Sequence, residues 1–292
     1  MLAYRGFLSS TGLNEISWLC YWIGLPAYLI ARISELSAEW AALIDMVAVL
    51  MIATLASILI ATGITWIWRL PLRSAVAFIH SGYRGNLTFI GLPVVFWAFA
   101  GSNASSEIEA AALVAFAPLV IFYNIFAVLI LQLPNGVNFR STGLNSLRGV
   151  ATNPILIGVV IGLVLAIVNF SLPAFLQRTL TALGQMALPL ALLSIGGALY
   201  GTRLRGNLQW AACASLIKVG LTPLIGWGIG VGMGLDADSL RLVAIFLAAP
   251  CAAAGYVLVK QMNGDSGLAA SAIVLSHLFA LPAMLLVLLL TA

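Results

Sequence analysis

From residue 14 to residue 290 the chain is a succession of apolar runs, most of about twenty residues, each closed by a short polar interruption. Runs of that length satisfy their backbone hydrogen bonds in a bilayer as helices, because barrel strands would be shorter and would alternate in polarity. Spans are expected at about 14–34, 41–68, 75–100, 109–132, 152–168, 180–201, 208–232, 240–262 and 268–290. A hydrophobic fraction of 62%, a charged fraction of 8% and a mean hydropathy of +1.11 lie far outside the range of soluble domains. The sequence therefore predicts an all-α polytopic membrane protein with no soluble domain between its spans. Cys20, Cys213 and Cys251 lie inside apolar runs without pair spacing, as buried inert thiols do. Met1–Leu8 carries no secretory signal.

Charge sorts the loops. One alternating set holds Arg5, Arg69, Arg73, Arg140, Arg148, Arg203, Arg205 and Lys260. The other holds only Arg32, Arg178 and Arg241, with the acids Glu35, Glu39, Glu107, Glu109, Asp236 and Asp238. The positive-inside rule makes the first set cytoplasmic, so the amino terminus lies inside and the carboxyl terminus outside. The net charge of +4 thus reports orientation and gives no reason to expect a nucleic-acid partner. Asp45, Arg84 and Lys218 remain as charges at membrane depth.

The stretch from Gly82 to Gly101 is long and apolar enough to span, yet Gly85, Asn86, Gly91 and Pro93 interrupt it. Broken backbone at membrane depth is tolerated where it is buried in protein or lines a cavity. The stretch has a counterpart at 240–262, interrupted by Ala249-Pro250 and Gly255. Each is followed by a loop and an alanine-rich start, Ala110-Ala111-Ala112 against Ala269-Ala270-Ser271. Gly24-Leu25-Pro26-Ala27 in the first span likewise reads like Ala187-Leu188-Pro189-Leu190. Counted along the chain, these mates run in opposite directions across the membrane, as in transporters built from inverted repeats.

Arg84-Gly85-Asn86 with Phe89-Ile90-Gly91-Leu92-Pro93, then Asn153-Pro154, Met186-Ala187-Leu188-Pro189-Leu190-Ala191-Leu192 and Pro250 with Tyr256-Val257-Leu258 make the chain resemble the auxin efflux carrier family. That family of membrane transporters includes bacterial malonate and malate carriers and plant auxin exporters. The resemblance implies ten helices in two inverted five-helix repeats, whose broken helices cross at their prolines near the midplane. It implies a first repeat at 1–135, a cytoplasmic linker at 136–151 and a second repeat at 152–292, in a bacterial inner membrane. Asn86, Gly91 and Pro93 match the first crossover, and Pro250, with Gly255 beyond it, the second. Family members often carry a polar amide after the second proline, where this chain has Ala253-Ala254-Gly255. The family's first helix is nearly absent. Two explanations are open: the chain as given begins too late, or this member has lost the helix and a second copy, in a homodimer, covers the groove left in the lipid.

The residues themselves favour a carboxylate substrate. Interrupted helices expose half-helix ends, and free N–H groups at an amino-terminal end bind an anion, with Asn86 adding a donor. Lys218, in a span with Pro223, must be paired, neutral or facing water, and Asp45 is its candidate partner as a coupling or counter-charge group. Arg84 either attracts anions at the mouth of the cavity or anchors its helix. Asn124 is read as an interhelical hydrogen bond, and His80 and His277 as packed rather than metal-binding. Gly158 with Gly162, and Gly226, Gly228, Gly230, Gly232 and Gly234, fit close helix packing. No nucleotide-binding loop and no hydrolase motif occurs, so the expectation is a secondary carrier of small organic anions such as dicarboxylates, not an enzyme, with no cofactor and no metal. Proton coupling, sodium coupling of the bile-acid-carrier type and a channel stay open as alternatives.

Overall fold

The computed structural model describes residues 9–35, 40–101, 105–135, 152–201 and 204–290. The segment 136–151 read as a linker lies outside the described residues, as do Arg5, Glu39, Arg140, Arg148 and Arg203. Helix α1 runs through Ser10–Leu19, a π turn at Cys20–Gly24 and Leu25–Ile33, and α2 is Trp40–Ile67. Helix α3 is Leu72–Tyr83, α4 runs through a π turn at Leu87–Gly91 and Leu92–Ala98, and α5 is Ser105–Leu131. Helix α6 is Pro154–Ile167 and α7 is Ala174–Gly201. Helix α8 runs through Leu208–Leu216, a π turn at Ile217–Leu221 and Thr222–Gly232. Helices α9, α10 and α11 are Ala237–Ala248, Ala254–Gln261 and Ser266–Leu290. Among the described residues five helical stretches are long and apolar enough to cross a bilayer: Thr11–Ile33, Leu43–Ile67, Glu107–Leu131, Leu208–Gly232 and Ser266–Leu289.

Local chemistry sets the boundaries. Ser9, Asn153, Asn207 and Asp236 cap α1, α6, α8 and α9, each side chain accepting from an amide in the first turn. Helix α7 starts several residues before the expected 180, directly after Pro173, whose fixed φ suits a helix start. Each of the three π turns is followed, one residue further on, by a proline: Pro26, Pro93 and Pro223. A proline lacks the N–H that would bond one turn back and crowds that carbonyl, and a widened turn relieves both.

The helices form two groups. Helix α1 is the centre of the first, with α6 on one side and α7 on another. A Cβ on Gly184 of α7 would lie 2.4 Å from Tyr28 Cδ2, so only glycine lets these helices approach so closely. In the second group α2, α3, α9 and α11 pack around α8, and α5 lies at the seam between the groups. Helices α2 and α8 are antiparallel: Val49 is opposite Gly230, Ala53 opposite Gly226, and Ser57 lies 2.5 Å from Thr222 between hydroxyls. The expected glycine packing holds at Gly158 and Gly162 against α1 and at Gly226 and Gly230 against α9. Among the described residues no other helix comes within 4 Å of the place a Cβ would take on Gly228, Gly232 or Gly234, so close packing there does not explain them.

Candidate functional site

Helix α3 ends at Tyr83 and α4 begins at Leu87, and the short segment between them crosses, antiparallel, the gap between α9 and α10. The Asn86 amide donates to the Pro250 carbonyl at 2.7 Å, and the Ala252 amide to the Arg84 carbonyl at 3.1 Å, flanking the bridge between Gly85 and Cys251. Two chains meet this closely because residue 85 has no side chain. A Cβ there would lie 2.9 Å from Lys218 Cε and 3.2 Å from the Ala249 carbonyl oxygen.

Four half-helix ends converge at this crossing, and the protein treats the two kinds oppositely. At the carboxyl end of α9 Lys218 Nζ, fully buried, donates to the Leu247 carbonyl. At the carboxyl end of α3 the Cys251 thiol donates to the Ser81 carbonyl at 3.0 Å. The negative ends are thereby supplied with donors from within the protein. The amino ends of α4 and α10 instead border a cavity of about 490 Å³. Leu87 and Thr88 of α4 and Ala253 and Ala254 at the start of α10 line it, in positions where backbone N–H groups have no intrahelical acceptor. Asn86 is 4% exposed, its Oδ1 accepts from the Phe89 amide at 3.3 Å, and its Nδ2 has no partner among the described residues. The opposite wall comes from the first helix group: Trp18, Tyr21 and Trp22 of α1, with Asn153 and Ile155 at the start of α6. The cavity therefore lies in the seam between the groups.

The sequence-derived residues fall into place unevenly. Asn86 lines the cavity, and Pro250 forms the crossing through its carbonyl. Pro93 does not mark the crossing as expected. The chain breaks at Arg84–Asn86, and Pro93 sits about two turns further on, behind the π turn that accommodates it. Gly91 packs against the Phe246 ring of α9, and Gly255 against the His80 ring, so neither lines the cavity. Lys218 and Asp45 are not brought together. Asp45 is exposed on α2, on the order of 20 Å along the axis from the level of Lys218, given the antiparallel match of α2 to α8. His80 packs edge-on to Tyr83, and His277 Nδ1 meets the Ile273 carbonyl at 2.7 Å.

Asn124 is an interhelical partner as expected, its Oδ1 accepting from Arg84 Nη2 at 2.8 Å. One polar cluster was missed. Glu109, read as a loop acid, lies in α5, where its Oε2 accepts from the Tyr28 hydroxyl at 2.9 Å and is 3.1 Å from Arg32 Nε. This ties α1 to α5 at the end of α1 remote from the cavity. The acidic Glu107/Glu109 pair opening an apolar run was the available signal, but it did not identify Arg32 as the partner.

Two comparisons bear on this arrangement. A model of the family described as membrane transport protein matches residues 1–288. The chain belongs to that family, the auxin efflux carriers of the sequence resemblance. An uncharacterized transporter of Methanocaldococcus jannaschii is 24% identical over 201 residues, which cover 68% of this chain and 62% of the relative. The chain thus belongs to a family of membrane transport proteins, in keeping with its helices long and apolar enough to cross a bilayer.

Proposed function

We propose that the chain is a secondary carrier of small organic anions, carboxylates among them, which works by alternating access at the seam between its helix groups. The observation that carries this reading is the polarity of the crossing. Donors from Lys218 and Cys251 occupy the negative half-helix ends, while two positive ends and Asn86, whose side-chain Nδ2 has no partner among the described residues, border one cavity. Such a site suits an anion. The antiparallel relation of α2 to α8, and of the two breaks to each other, supports residues 1–135 and 152–292 as inverted repeats. The loop charges support a cytoplasmic amino terminus, and the family resemblance suggests a bacterial inner membrane.

The test is uptake of labelled malonate by proteoliposomes containing the whole chain. Asn86→Ala removes a donor to a charged acceptor, a contact worth about 1.5–3 kcal/mol, so half-saturation is expected to rise about tenfold or more at equal protein abundance. Equal half-saturation in the two proteins removes Asn86 from the site.

A further inference from the structure

We propose that Arg84 is the counter-charge that makes this site select anions, and that Asn124 is its positioning residue. The proposal rests on the carrier reading above and adds the residue that reads charge. Arg84 is the first residue past the end of α3 and lines the cavity beside Asn86. Its Nη2 is held by Asn124 Oδ1 on α5 at 2.8 Å. Its Nη1 is buried and has no hydrogen-bond partner among the described residues. The ion pair found among those residues joins Arg32 to Glu109, so no described carboxylate neutralises Arg84.

A guanidinium inside a membrane domain with neither a counter-ion nor full hydrogen bonding is costly. The cost is offset when an anion arrives. Asn124 uses one side of the planar fork and fixes its orientation, which leaves the other side for the substrate. Arg84 and Asn86, two positions apart on the broken segment and both lining the cavity, then have one charged and one neutral donor unspent for a two-oxygen acceptor. Among the described residues that line the cavity, Arg84 is the charged one, while the far wall is formed by Trp18, Tyr21 and Trp22. Arg84 thus adds a full positive charge to the partial charges of the two half-helix ends. The competing role is an anchor alone, with Asn124 tying the end of α3 to α5.

The experiment is malonate uptake by proteoliposomes, with unlabelled propionate and its neutral analogue propionamide as inhibitors. For the unaltered chain, propionate is expected to inhibit at least about tenfold more strongly than propionamide. Arg84→Gln is expected to raise malonate half-saturation about tenfold or more and to abolish that preference, with Arg84→Lys recovering part of it. Asn124→Ala is expected to raise half-saturation by a smaller factor while keeping the preference for the anion. Unchanged half-saturation and preference in Arg84→Gln overturn the proposal and leave the carrier reading standing. Should Arg84→Gln fail to insert, the unaltered chain still decides: equal inhibition by propionate and propionamide overturns the proposal. If the unaltered chain takes up no carboxylate from propionate to malate, the organic-anion reading itself falls.

Discussion

Lys218 is fully buried, and its Nζ donates to the Leu247 carbonyl at the end of α9 while its stem passes against Gly85. A donor in that position does for the broken helix what the next turn of helix would have done. Lys218→Met keeps the apolar stem and removes the donor. The variant is expected to lose about 1–3 kcal/mol of stability, read as a lower melting temperature, and to transport with an altered pH profile. An unaltered profile confines Lys218 to a structural role. Asn86 and Pro250 could be recognised in the sequence because an amide and a proline inside apolar runs are costly without a purpose. The partner of Arg84 could not. Arg84 and Asn124 lie 40 positions apart, and nothing in either local pattern specifies that α3 ends beside α5.

At the scale of elements, the breaks themselves were legible, and their form was not. Gly85, Asn86, Gly91 and Pro93 flagged irregular helix, but Gly91 and Pro93 belong to a π turn and the helix that follows it, and the gap itself opens at Arg84–Asn86. Glycine and proline report that a helix is disturbed; which residue leaves the helix depends on the chain that crosses it, here Ala249–Ala252. Helix α1 has two ends with different tasks. Trp18, Tyr21 and Trp22 face the cavity, and Tyr28 and Arg32 bind Glu109 of α5 about two to three turns away. Tyr28 also packs against Phe96 of α4, ring centres 5.2 Å apart, so this end of the seam is closed where the other is open. Glu109→Gln keeps the shape but removes the charge that holds Arg32. It is expected to lower stability by about 1–3 kcal/mol and to leave malonate half-saturation within about twofold, because the pair does not line the cavity. A large change in half-saturation would mean that closure of this end and binding at the other are coupled.

Taken whole, the molecule is two helix groups meeting at a seam that is latched at one end and holds a cavity at the other, with both broken helices in the larger group. Membrane class and helical content follow from composition and run length alone, since backbone in lipid admits so few solutions. The division into groups did not follow, because the long runs of α2, α5 and α11 are apolar on nearly all faces and no periodicity says which face meets protein. Alternating access requires that seam to open on one side at a time, and a carrier of this kind never offers a continuous path. The most direct test is counterflow: proteoliposomes loaded with unlabelled malonate and diluted into trace labelled malonate. Alternating access predicts saturable uptake, with labelled malonate rising transiently above its equilibrium level. Flux that increases linearly with concentration and shows no stimulation by internal malonate would contradict it and make the cavity part of a channel.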